Sequence, residues 1–172
     1  MEKWDIYDLD RNKTGRILIR GTQLQKGEYH LVVHCCIFND KGEMLIQHRQ
    51  KDKKVFPDKW DMTAGGSVLA GENSREGVHR ELFEEIGLDI DFSKIHPKIT
   101  ANFSEGFDDI YIINRNVDIS TLKFQPEEVQ DAKWASIEEV LDMIDKGEFV
   151  PYKKEYIRYC YELRNGGITL NE

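Results

Sequence analysis

Residues Gly65 to Leu88, GGSVLAGENSREGVHRELFEEIGL, constrain this chain more than any other stretch. A two-glycine loop leads into a segment whose apolar residues Val78, Leu82 and Ile86 recur at helical spacing. Asn73 or Ser74 is placed to cap a helix, and Gly87 follows Ile86 where a left-handed C-terminal residue belongs. The spacing predicts a helix over Asn73 to Ile86, with Glu81, Glu84 and Glu85 related by i, i+3 and i+4 on one face. Carboxylates so crowded repel and raise one another's pKa. Hard divalent cations relieve such a cluster, because they take oxygen ligands and keep bound waters. Glu72 sits near the helix start, where the dipole favours an anion, and Arg80 precedes Glu81. A Glu-rich helix face by itself is usually a solvated surface. The preceding Gly65-Gly66 changes that balance, since bare backbone lets carbonyl and N–H groups approach a metal or a phosphate closely.

The rest of the chain is that of an acidic globular protein. With 24 Lys and Arg against 32 Asp and Glu, the net charge is −8. That balance argues against a nucleic-acid polymer or an anionic membrane as partner, because both are bound through summed positive charge. A small phosphate ligand needs only a local cation. The 172 residues suit one domain, 1–172, with enough chain to bury a core without disulfides. No apolar run approaches the roughly 18–20 residues of a membrane helix, and Met1-Glu2-Lys3-Trp4-Asp5 does not open a signal peptide. Cys35, Cys36 and Cys160 cannot all pair, so reduced, partly buried thiols in a cytoplasmic protein are expected.

Pattern along the chain predicts a mixed-sheet α/β layer. Residues 1–27 read as a lead-in hairpin around Asn12-Lys13-Thr14-Gly15. His30 to Phe38 and Glu43 to Arg49 read as a strand pair joined at Asn39-Asp40-Lys41-Gly42. Lys51 to Lys59 is a polar loop, Trp60 to Thr63 a short strand, and Ala64 to Ser67 a loop of small residues. Lys98 to Phe103 and Ile110 to Asn114 are strands flanking a Gly106/Asp108/Asp109 turn, and Asp131 to Ala135 is another strand. Ser136 caps a helix that runs to about Lys146, with Glu139 at capping-box spacing. The final segment, 150–172, carries a helix from about Tyr152 to Arg164 whose apolar face docks on the body.

Gly66, five residues, Glu72, seven residues, then Arg80-Glu81-Leu82-Phe83-Glu84-Glu85-Ile86-Gly87-Leu88 matches the Nudix box at every defined position. The chain thus resembles the Nudix hydrolases, MutT-like enzymes. The resemblance implies an α/β/α sandwich with a mixed sheet, and cleavage of a diphosphate linkage in a nucleoside diphosphate derivative with Mg²⁺ or Mn²⁺. It makes Glu84 and Glu85 metal ligands, with the Gly65 carbonyl as a further one. Glu81 becomes a ligand or the base that activates water. Arg80 joins the catalytic set as a support, together with Glu72. Family members often add a carboxylate from outside the box. Glu127-Glu128 stand ahead of Trp134 at a spacing the family uses, which selects Glu128; a solvated loop acid is the alternative.

Outside the box, Trp4-Asp5-Ile6, Glu28-Tyr29-His30, Leu45 to Arg49 and Lys54 to Asp61 resemble the branch related to isopentenyl-diphosphate isomerase. That enzyme protonates an alkene with a cysteine just ahead of the box and holds metal partly through histidines. Here Gly65 stands at the cysteine position and Ser67 at a histidine position, so hydrolysis is expected over isomerisation. A nucleotide-sensing module that binds without turnover is a further alternative, but such proteins usually lose box carboxylates and none is lost here. Arg49, Lys54 and Gly66 are the candidate substrate contacts, with Lys51 and Lys53 nearby; a solvated basic loop is the competing reading. His30 and His34 share one strand face, as a ligand pair or as buried strand histidines. Trp60, Phe103, Phe107 and Tyr111 either stack a base or fill core. Downstream signatures of known substrate subgroups do not appear, which leaves nucleoside di- and triphosphates, nucleotide sugars and isoprenoid diphosphates. Oligomeric state leaves no pattern in the sequence.

Overall fold

A computed structural model describes residues 1–167. Strands β1 (Lys3–Tyr7) and β2 (Lys13–Ile19) form an antiparallel two-stranded hairpin. A seven-stranded mixed sheet contains β3 (His30–Phe38), β4 (Met44–Arg49), β5 (Trp60–Asp61), β6 (Ala64–Ser67), β7 (Ile99–Phe103), β8 (Gly106–Asn114) and β9 (Val129–Ala135). Helix α1 (Ser74–Ile86) covers one face, while α2 (Ile137–Asp145) and α3 (Lys154–Glu162) cover the other. Alternation along β3 decides which side chains go where. Leu31, Val33, Cys35 and Ile37 pack with Val78, Leu82 and Ile86 of α1, whereas Cys36 and Phe38 pack with Val140, Ile157 and Cys160. The result is the expected α/β/α sandwich. All three cysteines are fully buried rather than partly so.

Strand β3 pairs in parallel with β8 along its whole length on one edge. Its other edge is shared. Val32 to Cys35 pair antiparallel with β6, and β4 is met only at Phe38–Met44. The expected β3–β4 hairpin therefore closes at its turn and then splays, with β4 pairing instead to β9 and β5. Thr63 fills the opening. Its fully buried hydroxyl donates to the Leu45 carbonyl (2.5 Å) and accepts from the Ile37 N–H (2.9 Å), replacing the ladder bonds lost where the strands part.

Two expected loops are strand. Ala64 to Ser67 is β6, because the paucity of side chains that reads as a loop is what lets this backbone fit between β3 and α1. Between β7 and β8 the chain turns at residues 104–105, so Asp108 and Asp109 belong to β8 and are held by strand partners. Asp109 accepts both a bidentate contact from Arg11 and a bond from Thr100.

Helix α1 starts in a capping box between Asn73 and Glu76 and ends at Gly87 with φ 71°. Ser136 caps α2 through the Glu139 N–H. The last helix starts at Lys154, two residues later than the pattern suggests, since Tyr152 packs beside His34 instead of entering the helix. Residues 168–172 of the expected C-terminal segment lie outside the described residues. Among the described residues no helix is long and apolar enough to cross a membrane.

The β1–β2 hairpin docks where the β6–α1 connection begins. Tyr7 and Tyr29 exchange two backbone hydrogen bonds (2.8 and 3.0 Å), Ala70 N–H donates to the Lys3 carbonyl (2.8 Å), and Gly71 N–H donates to Asp5 (2.8 Å).

Thr63→Val keeps the shape of the side chain but leaves the Ile37 N–H and Leu45 carbonyl without a partner. Urea denaturation should show a loss of about 2–4 kcal/mol, and Thr63→Ser should lose less than half of that.

Candidate functional site

Arg80 is the hub of the carboxylate cluster. Its Nε and Nη2 donate to the two oxygens of Glu72 (2.7 and 3.0 Å), and Nη2 also reaches the Ser67 carbonyl (3.0 Å). Nη1 is shared between Glu81 (2.9 Å) and Glu84 (3.1 Å). Burial opposes the charge on Arg80, but bonds to Glu72 and the charge of Glu81 outweigh it, and its proton is held more firmly than usual. Burial likewise opposes the Glu72 charge, yet Arg80 and the Leu69 N–H keep this carboxylate below its ordinary pKa. One guanidinium thus ties the end of β6, the connecting loop and α1 into a single body.

The three helix carboxylates do not share one environment. Glu85 is buried and accepts from Gln47 Nε2 (2.9 Å) and the Gly65 N–H (3.1 Å) on the same oxygen. Burial first, and then the charge of Glu81, push its pKa to about 8. Glu81 is also raised, chiefly by burial, with Arg80 pulling the other way. Glu84 is turned outward, its side chain 51% exposed.

Both glycines of β6 sit where a side chain would meet a neighbouring one. A Cβ on Gly66 would land on the Glu81 carboxylate, and one on Gly65 would land on the His34 ring. His34 lies against Gly65, its Nδ1 at 2.9 Å from both Asp108 oxygens. Burial opposes its charge, but Asp108 holds its pKa up at about 9, so a cation backs the carboxylate site. His30 and His34 do not form a ligand pair. His30 stacks on Trp4, with ring centroids 4.2 Å apart.

The donor set suits a hard divalent cation. Glu81, largely buried, and Glu85, fully enclosed, are adjacent acids whose charged forms burial opposes, and Gln47 Oε1 is buried beside them without a partner. Among the described residues no three His, Cys, Asp or Glu side chains already surround one point. Glu84 is restrained only by its contact to Arg80 and stands apart from the other two carboxylates at the surface.

A cleft of about 1240 Å³ opens beside this cluster, with Ser67 in its wall. Its lining also includes Arg49, Lys53, Lys54 and Glu128. Lys54 faces it without an ion-pair partner among the described residues, while Lys53 pairs with Glu128. Arg49 lines the cleft but spends its guanidinium elsewhere, on Asp61 (3.1 Å) and on the carbonyls of Val55 (3.0 Å) and Phe56 (3.2 Å). Those contacts hold a loop in which Phe56 and Asp58 have φ of 50° and 54°, a strained conformation that needs such restraint. The segment bearing Glu128 is tied to the end of α1, through Gln125 N–H to the Glu85 carbonyl (3.0 Å). Of the aromatics, Phe107 and Tyr111 fill core, Trp60 stacks on His48, and Phe103 stays 40% exposed beside His30.

Gln47, Thr63 and the His34–Asp108 pair were not singled out from the sequence. Gln47 did leave a signal, as a polar residue at a buried position in the apolar run Met44-Leu45-Ile46.

The folded pKa of Glu85 lies above its unfolded value of 4.5, so the protonated form is the one that stabilises the fold. That stability is full below about pH 4.5 and is lost as pH rises through about 8. In EDTA, the melting temperature should therefore fall between pH 6 and pH 9, and Glu85→Gln should flatten that part of the profile.

Comparison with known proteins agrees with this geometry. The Nudix domain pattern matches residues 28–160. A Nudix hydrolase of Listeria monocytogenes is 46% identical over 165 residues, covering 96% of each chain. The isopentenyl-diphosphate Δ-isomerase of Salmonella arizonae is 30% identical over 120 residues, 65% of this chain and 64% of that enzyme. Among solved structures, a Deinococcus radiodurans protein superposes with a TM-score of 0.77 at 26% identity, over 93% of this chain and 99% of the other. A MutT protein of Methanosarcina mazei reaches 0.60 at 26% identity, over 80% and 95%. With a complete box folded onto a β6–α1 carboxylate site, the chain belongs to the Nudix family and is a hydrolase acting on diphosphate linkages.

Proposed function

We propose that this protein is a Mg²⁺-dependent hydrolase of the diphosphate linkage in a nucleoside di- or triphosphate or a nucleoside diphosphate derivative, with Mn²⁺ as a substitute. The observation that carries this reading is the buried Glu81–Glu85 pair under the bare Gly65–Gly66 backbone, beside a cleft large enough for a small organic diphosphate. Glu81, Glu84 and Glu85 would hold the metal, with the Gly65 carbonyl and Glu128 as further oxygen donors. When bound, the ion neutralises the diphosphate and lowers the pKa of a water.

The chain's own groups do the rest. Arg80 keeps Glu81 and Glu84 within reach of each other and shares the charge of the cluster. Glu72 holds the opposite side of that guanidinium and so fixes the Gly66–Ser67 backbone through it. Glu81, raised above its ordinary pKa by burial, is suited to take a proton from water as attack proceeds. The open side of Gly66 is taken by the Glu81 carboxylate, so of the expected substrate contacts it is Lys54 that supplies positive charge from the cleft wall. Arg49 keeps the Lys53–Lys54 segment in place by its two carbonyl contacts, which makes it a positioning residue.

The similarity to an isomerase favours a second reading, but the thiols oppose it. Burial raises the Cys35 thiol well above its ordinary range, a hydrogen bond with Cys160 and then burial raise Cys36, Cys160 is fully buried, and Gly65 carries no side chain to donate a proton.

Phosphate and nucleotide release should be followed across a diphosphate panel that includes isopentenyl diphosphate, with Mg²⁺, Mn²⁺ or EDTA. Turnover should need metal, and Glu84→Gln and Glu85→Gln should each lower kcat at least about a hundredfold. Normal metal-dependent turnover in both variants sinks the ligand assignment. Allylic isomer without phosphate release sinks the hydrolase reading.

A further inference from the structure

Strand β4 sends alternate side chains to the two faces of the sheet. Met44 and Ile46 join the core under α2 and α3, and Leu45 joins the core under α1. Gln47 is next on the α1 side, where the pattern calls for another apolar residue. It is 2% exposed, and its backbone is paired on both sides, with Asp61 of β5 and Ala132 of β9. A polar side chain is thus anchored at a fixed point of the core face.

Only half of its amide is satisfied. Nε2 donates to Glu85 Oε2 (2.9 Å), while Oε1 is buried with no hydrogen-bond partner among the described residues. An orphaned buried acceptor destabilises the fold, and a Met or Leu would fill the same space without one. Turning the amide over would not help, because Oε1 would then face a carboxylate oxygen. What Gln47 has and an apolar residue lacks is the N–H on Glu85.

That N–H does not act alone. The Gly65 N–H donates to the same oxygen, Glu85 Oε2 (3.1 Å), so both of its acceptor positions are taken. Rotation of the carboxylate would break two bonds at once. Glu85 Oε1 accepts no hydrogen bond among the described residues, and unlike Gln47 Oε1 it is not sealed from solvent. Both donors to Glu85 are also neutral. A Lys or Arg in their place would orient the carboxylate but cancel the charge a cation needs, as Arg80 does for Glu72. Glu85 is instead fixed in direction and left uncompensated.

We propose that Gln47 is a positioning residue for the metal site. Its Nε2–H and the Gly65 N–H hold Glu85 by Oε2, so that Glu85 meets the divalent cation through Oε1. This assignment rests on the reading of Glu85 as a metal ligand of a diphosphate hydrolase.

Gln47→Met keeps an unbranched side chain of similar length and removes the N–H. Mn²⁺ binding without substrate, followed by the electron paramagnetic resonance of the free ion, should weaken about ten- to hundredfold. Stability separates positioning from packing. In EDTA the variant should melt within about 3 °C of the wild type, since it loses one hydrogen bond and one orphaned acceptor together. The rise in melting temperature produced by Mn²⁺ should shrink in step with the weaker binding. An unchanged Mn²⁺ affinity, or a rise as large as in the wild type, marks a residue that only packs and overturns the proposal.

A second measurement uses the wild-type protein and needs no variant. Saturating Mg²⁺ should move one Gln47 side-chain amide proton downfield in the nitrogen–proton spectrum, because that proton points at a carboxylate made fully anionic by the ion. Its geminal partner should move far less. If neither proton moves, the proposal is overturned. Failure of the underlying reading looks different: the wild-type protein then binds no Mn²⁺, or Glu85→Gln binds it as tightly as the wild type does.

Discussion

The structure depends on a stretch of backbone with no side chains, at Gly65 and Gly66. The His34 imidazole lies against Gly65 and the Glu81 carboxylate against Gly66, each at a distance that no Cβ would permit. Because the backbone is bare, the Gly65 N–H reaches Glu85 and β6 still pairs with β3 through residues 32–35. An added methyl group at Gly65 would displace the His34 ring, and one at Gly66 would displace the Glu81 carboxylate. Close approach, and not loop flexibility, is the use to which this chain puts its glycines here.

That close approach is possible only because β3 and β4 part. A continuous ladder between them would leave no room for β5 and β6 to cross from one to the other. Thr63 makes the parting tolerable by giving both strands a hydroxyl in place of a neighbour. Gln47, near the open end of β4, uses the same gap to reach Glu85. The site is thus a consequence of the sheet's irregularity, and its polar groups are the ones that irregularity exposes.

Charge is distributed with equal economy. Arg80 alone serves Glu72, Glu81 and Glu84, while Glu85 has only neutral donors. His34, fixed by Asp108, adds a second cation behind Gly65 without occupying the cleft. The protein alone therefore leaves its carboxylate cluster under-compensated, a state that disfavours the metal-free fold and favours a divalent ion. Stability is set aside at the point where function needs charge.

Much of this was legible in the residues. The cap at Asn73, the stop at Gly87, the core stripe Val78-Leu82-Ile86 and the i, i+3, i+4 carboxylates are local properties, set by helix geometry within a few residues. The box spacing carried the family and with it the sandwich fold. What the sequence could not say was decided by contacts between distant segments. Ala64 to Ser67 reads as a loop until β3 is placed beside it. Arg49 reads as a phosphate ligand until Val55, Phe56 and Asp61 claim its guanidinium. Glu81, Glu84 and Glu85 look alike on a helical wheel, yet burial under β6 sets two of them apart from the third. The sequence by itself determined which chemistry the chain carries, because helix periodicity and motif spacing are local. Only the tertiary structure decided which of those groups are buried, paired or free, because desolvation and charge depend on neighbours far away in the chain.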